Sequence, residues 1–213
     1  MATPDATAAA LREWAEVKGR RPNWRQKTEP YALGVAEILL QKTKAEDVEK
    51  VWAQVLSAYP NARSMVDAVE DELRALISGL GLGNQRVQRL KAMADAIQKG
   101  EAEQGIPGLG PYGSAIVSLT RGRTPDVAPV DGNIARVVCR HHGLCYQQGE
   151  PRKKPEVKET VAQLLATQAR PKGKLQLVYA LVDLGALVCR PNNPNCTACP
   201  VSRSCVYARE RSL

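Results

Sequence analysis

The sequence predicts an all-α fold. Apolar residues recur at helical spacing along almost the whole chain, and no run alternates apolar and polar residues as a half-buried strand would. Proline and glycine punctuate the periodic runs where helices should start or stop. Leu11–Val17 reads as a first helix, ended by Gly19 and the Arg20-Arg21-Pro22 turn. Pro30 starts a helix through Gln41, and Ala45–Tyr59 follows, stopped by Pro60. Ser64–Val69, Glu70–Ile77 and Asn84–Gln98 continue the series, interrupted by Gly79, Gly81 and Gly83. A Gly/Pro hairpin over Ile106–Tyr112 precedes helices at Gly113–Thr120 and Asp131–His141. Glu150–Pro155 reads as a charged surface loop, followed by helices at Glu156–Gln168 and Leu175–Val188. The last is apolar nearly all round and is expected to be buried.

Composition narrows the class. The 44% hydrophobic and 24% charged content fits a chain that folds around a core. No apolar run approaches the roughly 20 residues a bilayer crossing needs, so no membrane partner is expected. The N-terminus carries acids and lacks a basic-then-apolar leader, which predicts a reducing, cytoplasmic setting. Lys plus Arg outnumber Asp plus Glu by 30 to 22, a net +8 that suits a polyanion such as nucleic acid.

Cys189, Cys196, Cys199 and Cys205 are spaced C-x6-C-x2-C-x5-C near the C-terminus. Four thiolates so close in sequence can wrap one metal centre with little loop entropy to overcome. The spacing favours an iron–sulfur cluster over zinc, because zinc ribbons usually pair two C-x2-C knuckles and only Cys196 and Cys199 form one. Zinc stays open on spacing alone, and disulfides rank below both in a reducing setting.

The second motif is Ile106-Pro107-Gly108-Leu109-Gly110-Pro111-Tyr112. Two glycines around one apolar residue allow positive φ and leave no Cβ between backbone and ligand. The helix that follows offers free N–H groups at its positive end, where a DNA phosphate would be gripped while Leu109 plugs into the core. A tight interhelical turn is the plainer alternative.

Hairpin, downstream Val130-Asp131-Gly132-Asn133-Ile134-Ala135-Arg136-Val137 and terminal cysteine loop stand in this order. Together they resemble the helix-hairpin-helix DNA glycosylases of the endonuclease III superfamily, from about Leu11 to Cys205. The resemblance implies a six-helix lobe over residues 25–122 that ends in the hairpin. A second lobe would join 1–24 to 123–213 and carry a [4Fe–4S] cluster in the loop 189–205. It implies a monomer that binds double-stranded DNA containing a mismatched or damaged base, held in the groove between lobes with one nucleotide flipped out.

Breaking an N-glycosidic bond builds positive charge on the sugar, which a nearby carboxylate stabilises. Asp131 matches the family's catalytic aspartate, although by position alone it reads as a plain N-cap. Asn133 is expected to position water or the sugar. At Tyr112 bifunctional members place a lysine that attacks the sugar; tyrosine forms no imine, so a monofunctional enzyme without lyase activity is expected. Lys42 and Lys91 have nothing to place them at the sugar as substitutes. Glu37 and Gln41 share a narrow polar stripe with Gly34 on a helical wheel. The resemblance makes Glu37 a pocket residue that hydrogen-bonds or protonates the leaving base. Gln41 would fill the gap left by the flipped nucleotide, and Leu82 would wedge the opposite strand. Lys42, Arg86, Gly108, Gly110, Arg190 and Arg203 complete the expected DNA contacts, the last two offering positive charge from the cysteine loop.

Asp183 lies inside the apolar last helix and is expected to satisfy backbone amides. Cys139 and Cys145 read as buried thiols, and His141 and His142 as surface or phosphate contacts. Among monofunctional subgroups, Glu37-Ile38-Leu39-Leu40 and Gly81-Leu82-Gly83-Asn84-Gln85-Arg86 look closer to enzymes that remove thymine or uracil opposite guanine. Asp131-Gly132-Asn133 looks closer to enzymes that remove adenine opposite 8-oxoguanine. The latter usually carry paired tyrosines after Gly-Leu-Gly and a further base-reading domain, and neither is seen here. Gly83 departs from both subgroups, where an aromatic is usual. A non-catalytic DNA-binding module remains the third alternative, with Glu37 and Asp131 counting against it.

Overall fold

A computed structural model of the protein describes residues 3–100, 105–144 and 149–211. Among them all regular structure is helical. The chain divides into two compact units, Arg21–Thr124 and Met1–Arg20 with Pro125–Leu213. The divisions fall a few residues from those expected at 24/25 and 122/123.

The Arg21–Thr124 unit contains α2 (Pro30–Leu39), α3 (Ala45–Ala58), α4 (Ala62–Val66), α5 (Glu70–Leu76), α6 (Gly83–Lys99) and α7 (Pro111–Thr120). Its core is built around α2, where Leu33, Val35, Ile38 and Leu39 are fully buried. Trp24 meets Trp52 edge-on at 6.3 Å, and Trp52 Nε1 donates to the Ala32 carbonyl at 2.9 Å. Gly34 lets α6 approach closely: a Cβ there would lie 2.8 Å from Met93 Sδ. The position expected to extend a polar stripe is therefore buried against α6.

The other unit contains α1 (Pro4–Lys18), α8 (Gly132–His142), α9 (Pro155–Ala166), α10 (Pro171–Leu187) and the short α11 (Val206–Glu210). α10 is its buried centre, as its all-round apolar pattern predicts, and packs on α1 and α8. Asp183, 1% exposed, accepts from the Arg20 backbone N–H at 2.8 Å and from Arg20 Nε at 2.7 Å. It thus ties the end of α1 to the core helix. Gly185 permits close contact with α8, since a Cβ there would fall 2.6 Å from Asn133 Cβ.

Several bounds differ from the sequence reading. α1 begins at Pro4 rather than Leu11, because Thr3 caps it, accepting from Ala6 N, and Pro4 fills the first helical position. α2 stops at Leu39 and not Gln41; residues 40–43 tighten into a turn in which Lys42 takes φ +58°. α7 starts at Pro111, so Tyr112 lies in its first turn. Pro151–Lys153 forms a 3-10 turn inside the expected surface loop, and α11 was not anticipated. Cys145 lies outside the described residues. Among the described residues no helix is long and apolar enough to cross a membrane.

Candidate active site

The hairpin and α2 bring together one group of expected residues. Gly108 takes φ +81° and packs on α6, where a Cβ would lie 2.7 Å from the Arg89 carbonyl oxygen. Gly110 is extended at φ −73° and caps α7, and a Cβ built there meets no atom within 4 Å. One glycine is thus needed for the turn, and the other leaves open space before a helix N-terminus. Leu109, partly buried, packs on the core. The first intrahelical bond of α7 runs from Ser114 N to Gly110 O at 3.0 Å, so the amides ahead of it are not used by the helix. Ser114 Oγ accepts from Ile106 N at 3.2 Å and closes the hairpin.

Glu37 is half-buried on α2, and its Cβ stands 3.4 Å from a Cβ built at Gly113. Tyr112, also half-buried, is one residue earlier on α7. Glu37 therefore faces the start of α7, beside the helix turn that carries Tyr112. Lys91 Nζ donates to the Ala68 carbonyl at 2.6 Å, which assigns it a structural bond.

Two expected DNA contacts occupy other places. Arg86 is 1% exposed and donates to four neutral oxygens: Leu80 O, Gly81 O, Gln41 O at 2.6 Å and Thr43 Oγ1 at 2.5 Å. Burial first, and then Arg89, push its pKa below the ordinary guanidinium value. It is a buried staple and presents no charge to solvent. The Gln41 amide donates to Gly108 O at 3.0 Å and accepts from Arg89 Nη1, so its side chain links turn, hairpin and α6. Gap filling by Gln41 requires those bonds to open. Lys42 and Leu82 remain outward-facing, Leu82 at 43% exposure with φ +53°. The stem of Arg74 lies beside Gly83, with Arg74 Nε donating to Asn84 Oδ1 at 2.6 Å.

The second group belongs to the α8 unit. Asp131 is the N-cap of α8: Oδ1 accepts from Ile134 N at 2.7 Å and Oδ2 from Asn133 Nδ2 at 3.1 Å. Both carboxylate oxygens are therefore oriented, and the N-cap role coexists with a chemical one. Asn133 Oδ1 in turn accepts from Arg136 Nη2 at 2.7 Å. Arg136, 6% exposed, also reaches Gly185 O and Cys189 O, each at 2.7 Å. One turn on, Arg140 donates to the carbonyls of Arg190 at 2.7 Å and Pro191 at 2.8 Å and stacks on Tyr207. Sequence reasoning missed both arginines; their i, i+4 spacing on an amphipathic helix was the available signal. Arg152, paired with Glu150 at 2.8 Å, also feels the charge of Asp131.

His141 corrects an expectation of surface exposure. It is 4% exposed, its Nε2 lies 2.9 Å from Ser204 Oγ, and burial, then His142 and Arg209, push its pKa down to about 4. Cys139 is buried, as expected.

Cys189, Cys196 and Cys199 are half-buried and Cys205 is buried, and the four are unbridged in the structure. Burial pushes the Cys199 thiol up to about 11 against a backbone hydrogen bond at Val201, with Cys189, Cys205 and Cys196 adding to the rise. Among the described residues no three potential ligands converge tightly enough to define a metal site. An all-thiol donor set held by α8 through backbone carbonyls nonetheless suits a soft, thiolate-bound metal group. Arg190 and Arg203 are exposed on this loop.

Fold and site define a helical protein in which a glycine hairpin opens α7 and a capped aspartate opens α8. The sequence profile of the HhH-GPD superfamily base excision DNA repair proteins matches residues 35–166, and the chain belongs to that family. A thymine-DNA glycosylase of Aeropyrum pernix is 30% identical over 95% of this chain and 94% of its own length. A thymine/uracil-DNA glycosylase of Pyrobaculum aerophilum is 26% identical over 95% of this chain and 91% of its own. Human adenine DNA glycosylase is 30% identical over 97% of this chain but only 40% of its own length. A solved thermostable thymine-DNA glycosylase superposes with TM-score 0.84 at 25% identity, covering 97% of each chain. An endonuclease III–DNA complex shares the fold at TM-score 0.70 and 19% identity, covering 100% of this chain and 99% of that one.

Proposed function

We propose that this DNA N-glycosylase hydrolytically removes thymine or uracil opposite guanine from double-stranded DNA and leaves an intact abasic strand. The observation that carries the chemistry is Asp131, whose two oxygens are held by Ile134 N–H and the Asn133 amide. A carboxylate fixed in this way can face a developing sugar cation without reorganising. Glu37 hydrogen-bonds or protonates the departing base, and Asn133 orients Asp131 and the attacking water. Gly108 shapes the turn and Gly110 leaves room for a phosphate at the start of α7, while Lys42, Leu82, Arg190 and Arg203 contact the duplex. Tyr112 replaces an amine nucleophile, so no Schiff base forms and no strand cleavage follows. Borohydride added during turnover of a T·G duplex should trap no covalent complex, and a trapped complex overturns the monofunctional assignment.

The thymine and thymine/uracil glycosylases among the relatives support the base preference, since they align with this chain over most of their own length. Removal of adenine opposite 8-oxoguanine or guanine is the second reading, favoured by Asp131-Gly132-Asn133 and by the similarity to human adenine DNA glycosylase. Base release measured across T·G, U·G, A·G and A·8-oxoguanine duplexes separates the two. Release of adenine alone overturns the first. The four cysteines would hold a [4Fe–4S] cluster, which when bound supplies a structural clasp for the loop bearing Arg190 and Arg203. Absorbance near ~400 nm with about four irons per chain supports it, and stoichiometric zinc overturns it. The enzyme acts as a cytoplasmic monomer.

A further inference from the structure

Arg86 is a cation buried among neutral oxygens, and that arrangement is costly unless it secures something else. Nη1 donates to Leu80 O and Gly81 O, Nη2 to Gln41 O and Thr43 Oγ1, and Nε has no partner. Four of five N–H groups are thus spent on two turns, residues 40–43 and 80–82. Each turn carries a non-glycine residue in the left-handed region, Lys42 at φ +58° and Leu82 at φ +53°. Such backbone persists only where its surroundings hold it. Both strained residues present their side chains outward, one a charge and the other a large apolar group. One turn of α6 further on, Arg89 holds Gln41 Oε1, while the Gln41 amide holds Gly108 O of the hairpin.

We infer that Arg86 is a positioning residue for nucleotide extrusion. It locks the Lys42 and Leu82 turns into one preformed pair of probes, so entering the duplex requires no ordering of either loop. This rests on the proposal that Leu82 wedges the duplex.

The test uses a T·G duplex with 2-aminopurine beside the mismatch, whose fluorescence rises as the stack opens, recorded on mixing and before base release. Wild type, Arg86→Met, Arg86→Lys, Thr43→Val, Leu82→Ala and the Arg86→Met/Leu82→Ala double variant are compared. Arg86→Met should bind the duplex within about threefold of wild type yet open the stack and release base about 10- to 100-fold more slowly. Arg86→Lys should restore part of that loss, and the double variant should be no slower than Arg86→Met, because both act on one element. Equal losses in binding and opening, or additive losses in the double variant, overturn the inference. If Arg86→Met does not fold, Thr43→Val decides: slower opening with unchanged melting supports the role, and wild-type opening refutes it. A wild-type rate for Leu82→Ala sinks the wedge proposal and the inference with it. Slow Leu82→Ala beside fast Arg86→Met sinks the inference alone.

Discussion

Replacing Arg136 by methionine removes a buried guanidinium while keeping most of its volume. Three bonds of 2.7 Å disappear, to Gly185 O, Cys189 O and Asn133 Oδ1. Gly185 O lies in the last turn of α10, where carbonyls lose their helical donors, and Leu184 O already takes the Val188 and Cys189 amides. Arg136 therefore caps α10 with a cation at its negative end. Gly185 O loses its donor and Cys189 O keeps only the long bond from Arg140 Nη1 at 3.5 Å, so we expect a destabilisation of about 3 kcal/mol and a Tm lower by about 6–12 °C. Urea unfolding followed by circular dichroism measures the first and a thermal melt the second. Base release should slow as well, because Asn133 loses the anchor that aims its amide at Asp131. Arg136→Lys should recover about half the stability. A loss below about 1 kcal/mol in Arg136→Met would refute the reasoning, since the three bonds would then contribute little.

Asp131→Asn should lower base release at least about 100-fold yet cost no more than about 1.5 kcal/mol of stability, because asparagine still caps Ile134 N and gives up only the bond from Asn133 Nδ2. Single-turnover kinetics beside a melt checks both halves. Gly108→Ala should cost about 2–4 kcal/mol, combining left-handed strain with a Cβ 2.7 Å from a backbone oxygen, and should weaken duplex binding. Gly110→Ala, extended and facing open space, should melt within about 1 kcal/mol of wild type while still weakening duplex binding by filtration or anisotropy. His141 carries a pH dependence: its pKa falls from 6.5 to about 4 on folding, so between those values the unfolded chain binds a proton that the folded chain refuses. Stability should fall as pH drops through that window, by up to about 3 kcal/mol, and His141→Gln should flatten the slope in denaturant titrations.

Much of the helical order was legible because burial in a helical protein writes a 3.6-residue pattern into the chain, as α3, α6 and α10 show. The start of α1 was not legible, since Ala6 to Ala10 supply helix propensity without large apolar residues to mark a face. The end of α2 was hidden for another reason. Gln41 continues the pattern, but Arg86 from a distant helix holds its carbonyl and the chain turns at Lys42. Asp183 could be read as structural because an acid inside an apolar helix needs donors, and Arg20 supplies them. Arg86 and His141 were misplaced because charged and titratable side chains default to the surface. Their burial depends on carbonyls and a hydroxyl brought near by tertiary packing, which composition does not record. Asp131 and its neighbours were legible as a motif, whereas the arginine supporting them from inside α8 was not.

The close approach of Gly185 to Asn133 also limits how the chain can change length. Gly185 O and Cys189 O, the two carbonyls that Arg136 grips, are four positions apart at the end of α10 and beyond it. Inserting or deleting one residue between them would swing everything beyond by about 100° about the helix axis and shift it by about 1.5 Å. The first thiol of the cysteine loop would then leave its place while Asn133 lost its neighbour. Length variation should therefore be barred from 185–189 yet tolerated better at Gly149 and Glu150, which are exposed.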